Sequence, residues 1–294
     1  MMVQEPTFAY CIGATKAGTS WLYDYLRSHP QTHVRGIKEV HYFDAIDHDS
    51  REWHAAWFAK RRDRLAAKVA NFPTEENREE LADYTDLCAL HDGAGYDRRA
   101  YRAYLTDGAA PEHKVVADIT PAYSTLSREM FKTMAQAAAN TRFIYILRDP
   151  ISRLWSHIKM NAGRRANSPE ELPMRANRIF WRFGRGRHPG IWARSDYKGT
   201  LERLNSALAP NQLLVLFYEE LFTNEAVELI CTFLGLSPHK ADFAARVNVS
   251  ADLPMDHTKM AHARGWLAAQ YDHIQKTIDH LPTVWQDNMQ RVPA

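Results

Sequence analysis

The feature that most constrains this chain is an apolar run that breaks at a glycine and gives way to a helical pattern. Phe8–Ile12 has no polar interruption and reads as a buried strand. The loop Gly13-Ala14-Thr15-Lys16-Ala17-Gly18-Thr19-Ser20 follows. Thr19–His29 then places Trp21, Leu22, Tyr25 and Leu26 on one helical face, with Pro30 just beyond. Strand, short loop and helix form the repeating unit of a parallel sheet, whose strands need helical crossovers.

The alternation recurs. His113–Ile119 contains the strand-like Val115-Val116-Ala117. Phe143–Leu147 is a continuous apolar run, and Asp149-Pro150 after it supplies an N-cap and a first helical residue. Gln212–Tyr218 is another such run, with a helix near Glu225–Leu234 and Gly235 at its end. The pattern predicts an α/β fold with a P-loop-type parallel sheet flanked by helices on both faces. No internal repeat or low-complexity linker divides the 294 residues, so a single domain over 1–294 is expected. Two stretches escape the alternation and read as insertions: 51–104, mostly helical with a charged middle, and 161–196, polar and rich in arginine.

A net charge of +2 gives no global field for nucleic acid, so any anion site must arise from local clustering. The three cysteines, Cys11, Cys88 and Cys231, are far apart and odd in number, which suits a reducing compartment. Met1–Pro6 lacks a basic-then-apolar targeting pattern, and no run approaches the roughly 20 apolar residues of a membrane span. A cytoplasmic protein with no transmembrane segment is expected.

The loop Gly13–Ser20 has the make-up of an anion cradle. A strand-to-helix turn gathers backbone N–H groups where the helix dipole also favours negative charge. Lys16 adds a full charge, and Thr19 and Ser20 add hydroxyls. The triphosphatase pattern GxxxxGK[ST] is only half met: Gly13 and Gly18 keep its spacing, but Thr19 stands where its lysine belongs. Asp118 ends one strand, yet no acidic strand end makes a convincing magnesium ligand, so an anion site without metal is expected. A second anchor lies at the end of Phe143–Leu147, where Arg148 and, two turns into the next helix, Ser156 suit a phosphate. Taken alone, this segment reads better as structural, with Arg148 on a carbonyl or on Asp149.

Taken together, these segments resemble the family of sulfotransferases that use 3′-phosphoadenosine 5′-phosphosulfate (PAPS). Ile12–Ser20 with Leu22, Leu26 and His29-Pro30 is similar to the family's phosphosulfate loop. Phe143–Pro150 with Arg153 and Ser156-His157 is similar to its 3′-phosphate motif. Lys38-Glu39-Val40-His41-Tyr42-Phe43-Asp44 resembles a segment of the heparan-sulfate-type enzymes and their bacterial relatives. Asp118–Tyr123, Asn211–Leu221 and Phe233–Leu236 match later segments. The resemblance implies that Lys16, Ala17, Gly18, Thr19 and Ser20 hold the 5′-phosphosulfate. Arg148 and Ser156 would hold the 3′-phosphate. Glu39 would be the general base, with His41 beside it as auxiliary or rival. PAPS would be the co-substrate and the adenosine bisphosphate PAP the product, with no metal.

Two positions depart from the family. Ile119 stands where some relatives carry a lysine, and Asp256–Lys259 is only a poor match to their basic closing loop, with Lys259 a weak candidate. The stretch 161–196 holds eight arginines with Trp181, Phe183 and Trp192, a composition suited to a saccharide or anionic acceptor. A glycan, glycolipid or lipopolysaccharide component is the first expectation, a small alcohol or phenol the second. A small-molecule kinase with a variant P-loop and a non-catalytic nucleotide-binding protein are the alternatives.

Overall fold

The structure, a computed structural model, describes residues 5–93, 95–244 and 252–290; the start of the Met1–Pro6 segment, residues 1–4, lies outside them. Five strands form one sheet: β1 (Thr7–Gly13), β2 (Thr32–His33), β3 (Val115–Ile119), β4 (Thr141–Leu147) and β5 (Leu213–Phe217). Their order is β2-β3-β1-β4-β5, and every pairing is parallel. β1 lies at the centre, with Tyr10 opposite Asp118 of β3 on one side and Phe143 of β4 on the other. All of β3, and β1 from Phe8 to Gly13, are buried, so both faces of the sheet are covered.

Helices flank this sheet. α1 (Thr19–Ser28) buries Trp21, Leu22, Tyr25 and Leu26 along one stripe. α2 (Tyr42–Asp47) follows β2, and the first insertion is helical as expected: α3 (Arg51–Asn71), α4 (Glu75–His91) and α5 (Arg98–Thr106). After β3 come a 3₁₀ turn at Pro121–Thr125 and α6 (Arg128–Ala135). α7 (Pro150–Gly163) follows β4 and starts at the N-cap Asp149, whose side chain accepts from the Ser152 N–H. The rest are α8 (Glu171–Gly184), α9 (Pro189–Ala193), α10 (Tyr197–Ala207), α11 (Asn224–Leu234), α12 (His257–Thr277) and α13 (Thr283–Gln290).

The arginine-rich stretch is more than a surface loop. In α8 the residues Ala176, Ile179, Phe180 and Phe183 are buried at helical spacing, and Phe180 meets Trp266 of α12 with ring centroids 4.9 Å apart. Pro173 is tolerated because it falls in the first turn, where its missing N–H breaks no helical bond.

Asp149 ties the C-terminal helices to the sheet. It accepts from Tyr271 Oη at 2.5 Å and from Asn288 Nδ2 at 2.9 Å. The Arg148–Asp149 pair that the sequence allowed does not form. The three cysteines are buried and unpaired.

The sheet order places the Gly13–Ser20 loop and the Arg148-Asp149-Pro150 turn side by side. The chain leaves β1 toward β2 and β3 on one side, and β4 joins β1 on the other. Open α/β sheets hold ligands in the crevice outside the strand ends at such a switch point.

Candidate functional site

A cleft of about 1740 Å³ opens at that rim. Its lining includes Lys16, Gly18, Thr19, Ser20, Glu39, His41, Arg148 and Ser156. Eight of the nine residues singled out from sequence therefore share one cavity. The ninth, Ala17, has a fully buried side chain and spends its N–H on the Ala14 carbonyl at 3.1 Å.

The loop is held from two sides. Gly18 has φ 84°, and a Cβ there would come within 2.8 Å of Leu221 and 3.1 Å of Tyr218, so close packing and left-handed backbone both call for glycine. No side chain caps α1 at Gly18, and the positive end of that helix opens on the cleft. Arg148 reaches across from β4 and donates through Nη1 to the Lys16 carbonyl at 2.9 Å. Its guanidinium also stacks 4.3 Å above the Tyr218 ring.

Positive charge collects here without matching anions. Lys16, Arg148, Arg164 and Arg194 all line the cleft, and none makes an ion pair among the described residues. Burial lowers the Lys16 pKa, and repulsion from Arg148, Arg164, Lys159 and Lys38 lowers it further. His157, buried behind the same wall, is pushed well below its usual range by burial and then by Arg153, Arg194 and Lys16. Such a cluster favours the arrival of a polyanion.

The opposite wall is the segment Arg35–Asp44, and the first insertion fixes it. Arg35 is 6 % exposed and contacts Asp83, Asp86 and Asp107 at 2.5–2.7 Å. The Gly36 N–H donates to Asp83, and His91 Nε2 lies 2.9 Å from the Val40 carbonyl. Between these anchors the backbone is driven into unusual conformations: φ is 66° at Glu39 and 53° at His41. Among the described residues four non-glycines have positive φ, and three of them are Lys16, Glu39 and His41. Left-handed backbone costs a non-glycine roughly 1–3 kcal/mol and persists where surrounding structure enforces it, often at functional sites.

Glu39 and Lys38 do pair, at 3.0 Å, but inside the cleft rather than on an outer face. His41 sits between two carboxylates, with Nε2 3.4 Å from Glu39 Oε2 and Nδ1 2.8 Å from Asp44 Oδ2. Burial by itself would raise the Glu39 carboxyl. The His41 hydrogen bond and the Lys38 charge overcome it and hold the group at about 2. The Glu39 side chain keeps 44 % of its exposure, so water in the cleft still reaches it. Burial would likewise lower His41, but Asp44 and Glu39 hold it at about 9.

Sequence reasoning missed several lining residues: Asp44, His54, Trp53, Trp57 and Arg61. Asp44, three residues after His41 on the same turn, was within reach of pattern reading; His54 and the tryptophans on α3 meet it only through the fold. Arg182, Arg185 and Arg187 are exposed and lie outside the cleft lining, whereas Arg164, His188 and Arg194 belong to it. Lys259 pairs with Asp256 at the start of α12 and is not among the lining residues. Asp118 is buried, and its carboxylate takes hydrogen bonds from Thr120, Tyr101 and Tyr123 at 2.6–2.8 Å. Among the described residues, no helix is long and apolar enough to cross a membrane.

Comparison with known proteins bears on the family and the fold. Residues 9–240 match the sequence model of the Sulfotransferase family. No curated protein matches the chain. Among solved structures, a sulfotransferase from Alicyclobacillus acidocaldarius aligns at 18 % identity and a TM-score of 0.63, over 96 % of this chain and 99 % of that one. The sulfotransferase domain of a Synechococcus olefin synthase aligns at 14 % identity and a TM-score of 0.47, over 89 % of this chain and 94 % of that one. With most of its length covered by the family's sequence model and its sheet built as that fold requires, the chain belongs to the sulfotransferase family.

Proposed function

We propose that this protein transfers a sulfuryl group from PAPS to a hydroxyl or amine of an acceptor, with a glycan or glycolipid as the acceptor class. The observation that carries the reading is the grouping of Lys16, Glu39 and His41. They come from two separated segments, share strained backbone, and line one basic cleft. The whole chain acts as one sulfotransferase domain, with the insertions 51–104 and 161–196 shaping its acceptor side. Its buried, unpaired cysteines suit the cytoplasm.

The roles are those the family resemblance implies, and charge and position support them. The loop from Lys16 to Ser20 would hold the 5′-phosphosulfate against the positive end of α1, and Arg148 and Ser156 the 3′-phosphate. As the acceptor oxygen bonds to sulfur, the bond from sulfur to the phosphate oxygen breaks, and negative charge builds on that phosphate. Lys16 would neutralise it, by analogy with phosphoryl transfer. The acceptor proton goes to Glu39. His41 is the weaker candidate for base: both its ring nitrogens face carboxylates, which leaves no lone pair for the acceptor. A kinase would need a magnesium ligand near the loop, and the Asp118 carboxylate is taken up by three hydroxyls. The cleft exceeds the ~300–1,000 Å³ of ordinary ligand sites and leaves room for both nucleotide and acceptor.

The test is calorimetry with 3′,5′-adenosine bisphosphate and with ATP, each with and without magnesium. Tight metal-independent binding of the bisphosphate is expected. Selective binding of magnesium-ATP would overturn the proposal in favour of the kinase.

A further inference from the structure

Beside Glu39, three residues have the composition of a metal centre. His41, Asp44 and His54 each offer one ligand atom, and the three atoms lie within 4.8 Å of one another. Asp44 Oδ2 is 2.8 Å from His41 Nδ1 and 4.0 Å from His54 Nε2. Asp44 is only 4 % exposed, and its other oxygen, Oδ1, is buried with no hydrogen-bond partner among the described residues. A buried acceptor left unsatisfied is costly, and more so when charged. This carboxylate therefore has capacity for a further positive partner.

The two imidazoles are oriented as metal-binding rings are. His54 Nδ1 lies 2.9 Å from the Ser50 carbonyl and 3.2 Å from Ser50 Oγ; the carbonyl is the nearer and can only accept, so the tautomer with the proton on Nδ1 satisfies it and turns the Nε2 lone pair toward Asp44. A lone pair facing a carboxylate is repulsive unless a cation or proton lies between them. His41 presents Nδ1 to the same carboxylate and turns Nε2 toward Glu39 Oε2, 3.4 Å away. Each ring thus uses its far nitrogen on an oxygen acceptor, the arrangement that fixes tautomer and direction in metal-bound histidines. Two imidazoles and one carboxylate suit divalent transition ions; calcium and magnesium prefer all-oxygen shells. All three residues line the cleft, so an ion can reach them and keep positions for water or substrate.

We propose that His41, Asp44 and His54 form a binding site for a divalent transition-metal ion such as Zn²⁺. The site departs from the expectation, drawn from the sequence, of an enzyme with no metal. Its place at the acceptor end rests on the sulfotransferase reading; the site itself rests on the three side chains. An ion there would polarise an acceptor oxygen beside Glu39 and ease loss of its proton. His41 would keep its Nε2–H bond to Glu39 while Nδ1 exchanged its proton for the metal.

The experiment uses the full-length protein, stripped with a chelator and dialysed, titrated with Zn²⁺ alone and assayed for bound metal by mass spectrometry. One equivalent per chain is expected for the wild type, with affinity falling at least about ten-fold in His54→Gln. Circular dichroism checks folding, and Asp44→Asn serves if His54→Gln is unfolded. Failure of the folded wild type to retain the ion would overturn the site, as would equal uptake by the folded variant. Bisphosphate binding, measured on the same stripped sample, reports separately on the sulfotransferase reading.

Discussion

Arg148 Nη1 donates to the Lys16 carbonyl at 2.9 Å, and this bond joins the end of β4 to the loop that follows β1. The two segments proposed to bind phosphate are thus one unit. With one arm on the loop and its plane stacked on Tyr218, the guanidinium keeps further donors for an anion. Lysine cannot reproduce the fork, the stacking and the loop bond together. Arg148→Lys should therefore weaken adenosine bisphosphate binding about ten- to a hundred-fold, the worth of a charge-assisted hydrogen bond. An unchanged dissociation constant in calorimetry would take Arg148 out of the site.

Lys16 stands in a field that disfavours its own charge, through burial and four neighbouring cations. A polyanion relieves that repulsion, and a leaving phosphate relieves it most as its charge develops. Lys16→Met should lower kcat by about 10²–10³ while changing the KM for PAPS much less. A rise in KM with normal kcat would make Lys16 a ground-state binder only.

Glu39→Gln should reduce turnover about 10²–10⁴-fold and leave bisphosphate binding intact. Near-normal turnover would remove Glu39 as base. The pair also predicts a stability profile. Glu39 is held below its ordinary 4.5, at about 2, so its stabilisation is full above pH 4.5 and is lost as pH falls through 2. His41 is held above its ordinary 6.5, at about 9, so its stabilisation is full below 6.5 and is lost as pH rises through 9. Both contributions are complete between pH 4.5 and 6.5. The melting temperature should decline from pH 6.5 to 9, and His41→Gln should flatten that decline. An identical alkaline slope in the variant would show that other groups govern it.

What the sequence disclosed was local. The strand Phe143–Leu147 is a pure apolar run, and the loop after Ile12 carries its chemistry in eight consecutive residues. β2 was harder, because only Thr32 and His33 pair with β3. α8 escaped reading as packed structure because arginines crowd its exposed face and hide the spacing of Ala176, Ile179, Phe180 and Phe183. The rest of the site is non-local. Arg35 is anchored by Asp83, Asp86 and Asp107, and His54 comes to Asp44 through the turn into α3. No spacing rule encodes such meetings; they depend on how the inserted helices pack.

That packing also relocates the acceptor prediction. The sequence pointed to the arginine-rich stretch 161–196 as a whole, but its Arg182, Arg185 and Arg187 are exposed at the end of α8 and beyond, outside the cleft lining. Arg194 lies within it. Burial lowers its pKa, while the nearby carboxylates of Asp44 and Glu39 act in the opposite sense, which puts it on the side of the proposed base. It makes no ion pair among the described residues and spends one donor on the Gly190 carbonyl at 3.2 Å. A partly buried arginine with donors to spare suits an oxygen-rich acceptor. Arg194→Gln should therefore raise the KM of the acceptor by about ten-fold or more, with little effect on the KM for PAPS. Neutralising Arg182, Arg185 and Arg187 together should leave both constants near wild type. If the triple variant loses acceptor affinity and Arg194→Gln does not, the acceptor reaches across the outer face of α8 rather than along the cleft wall.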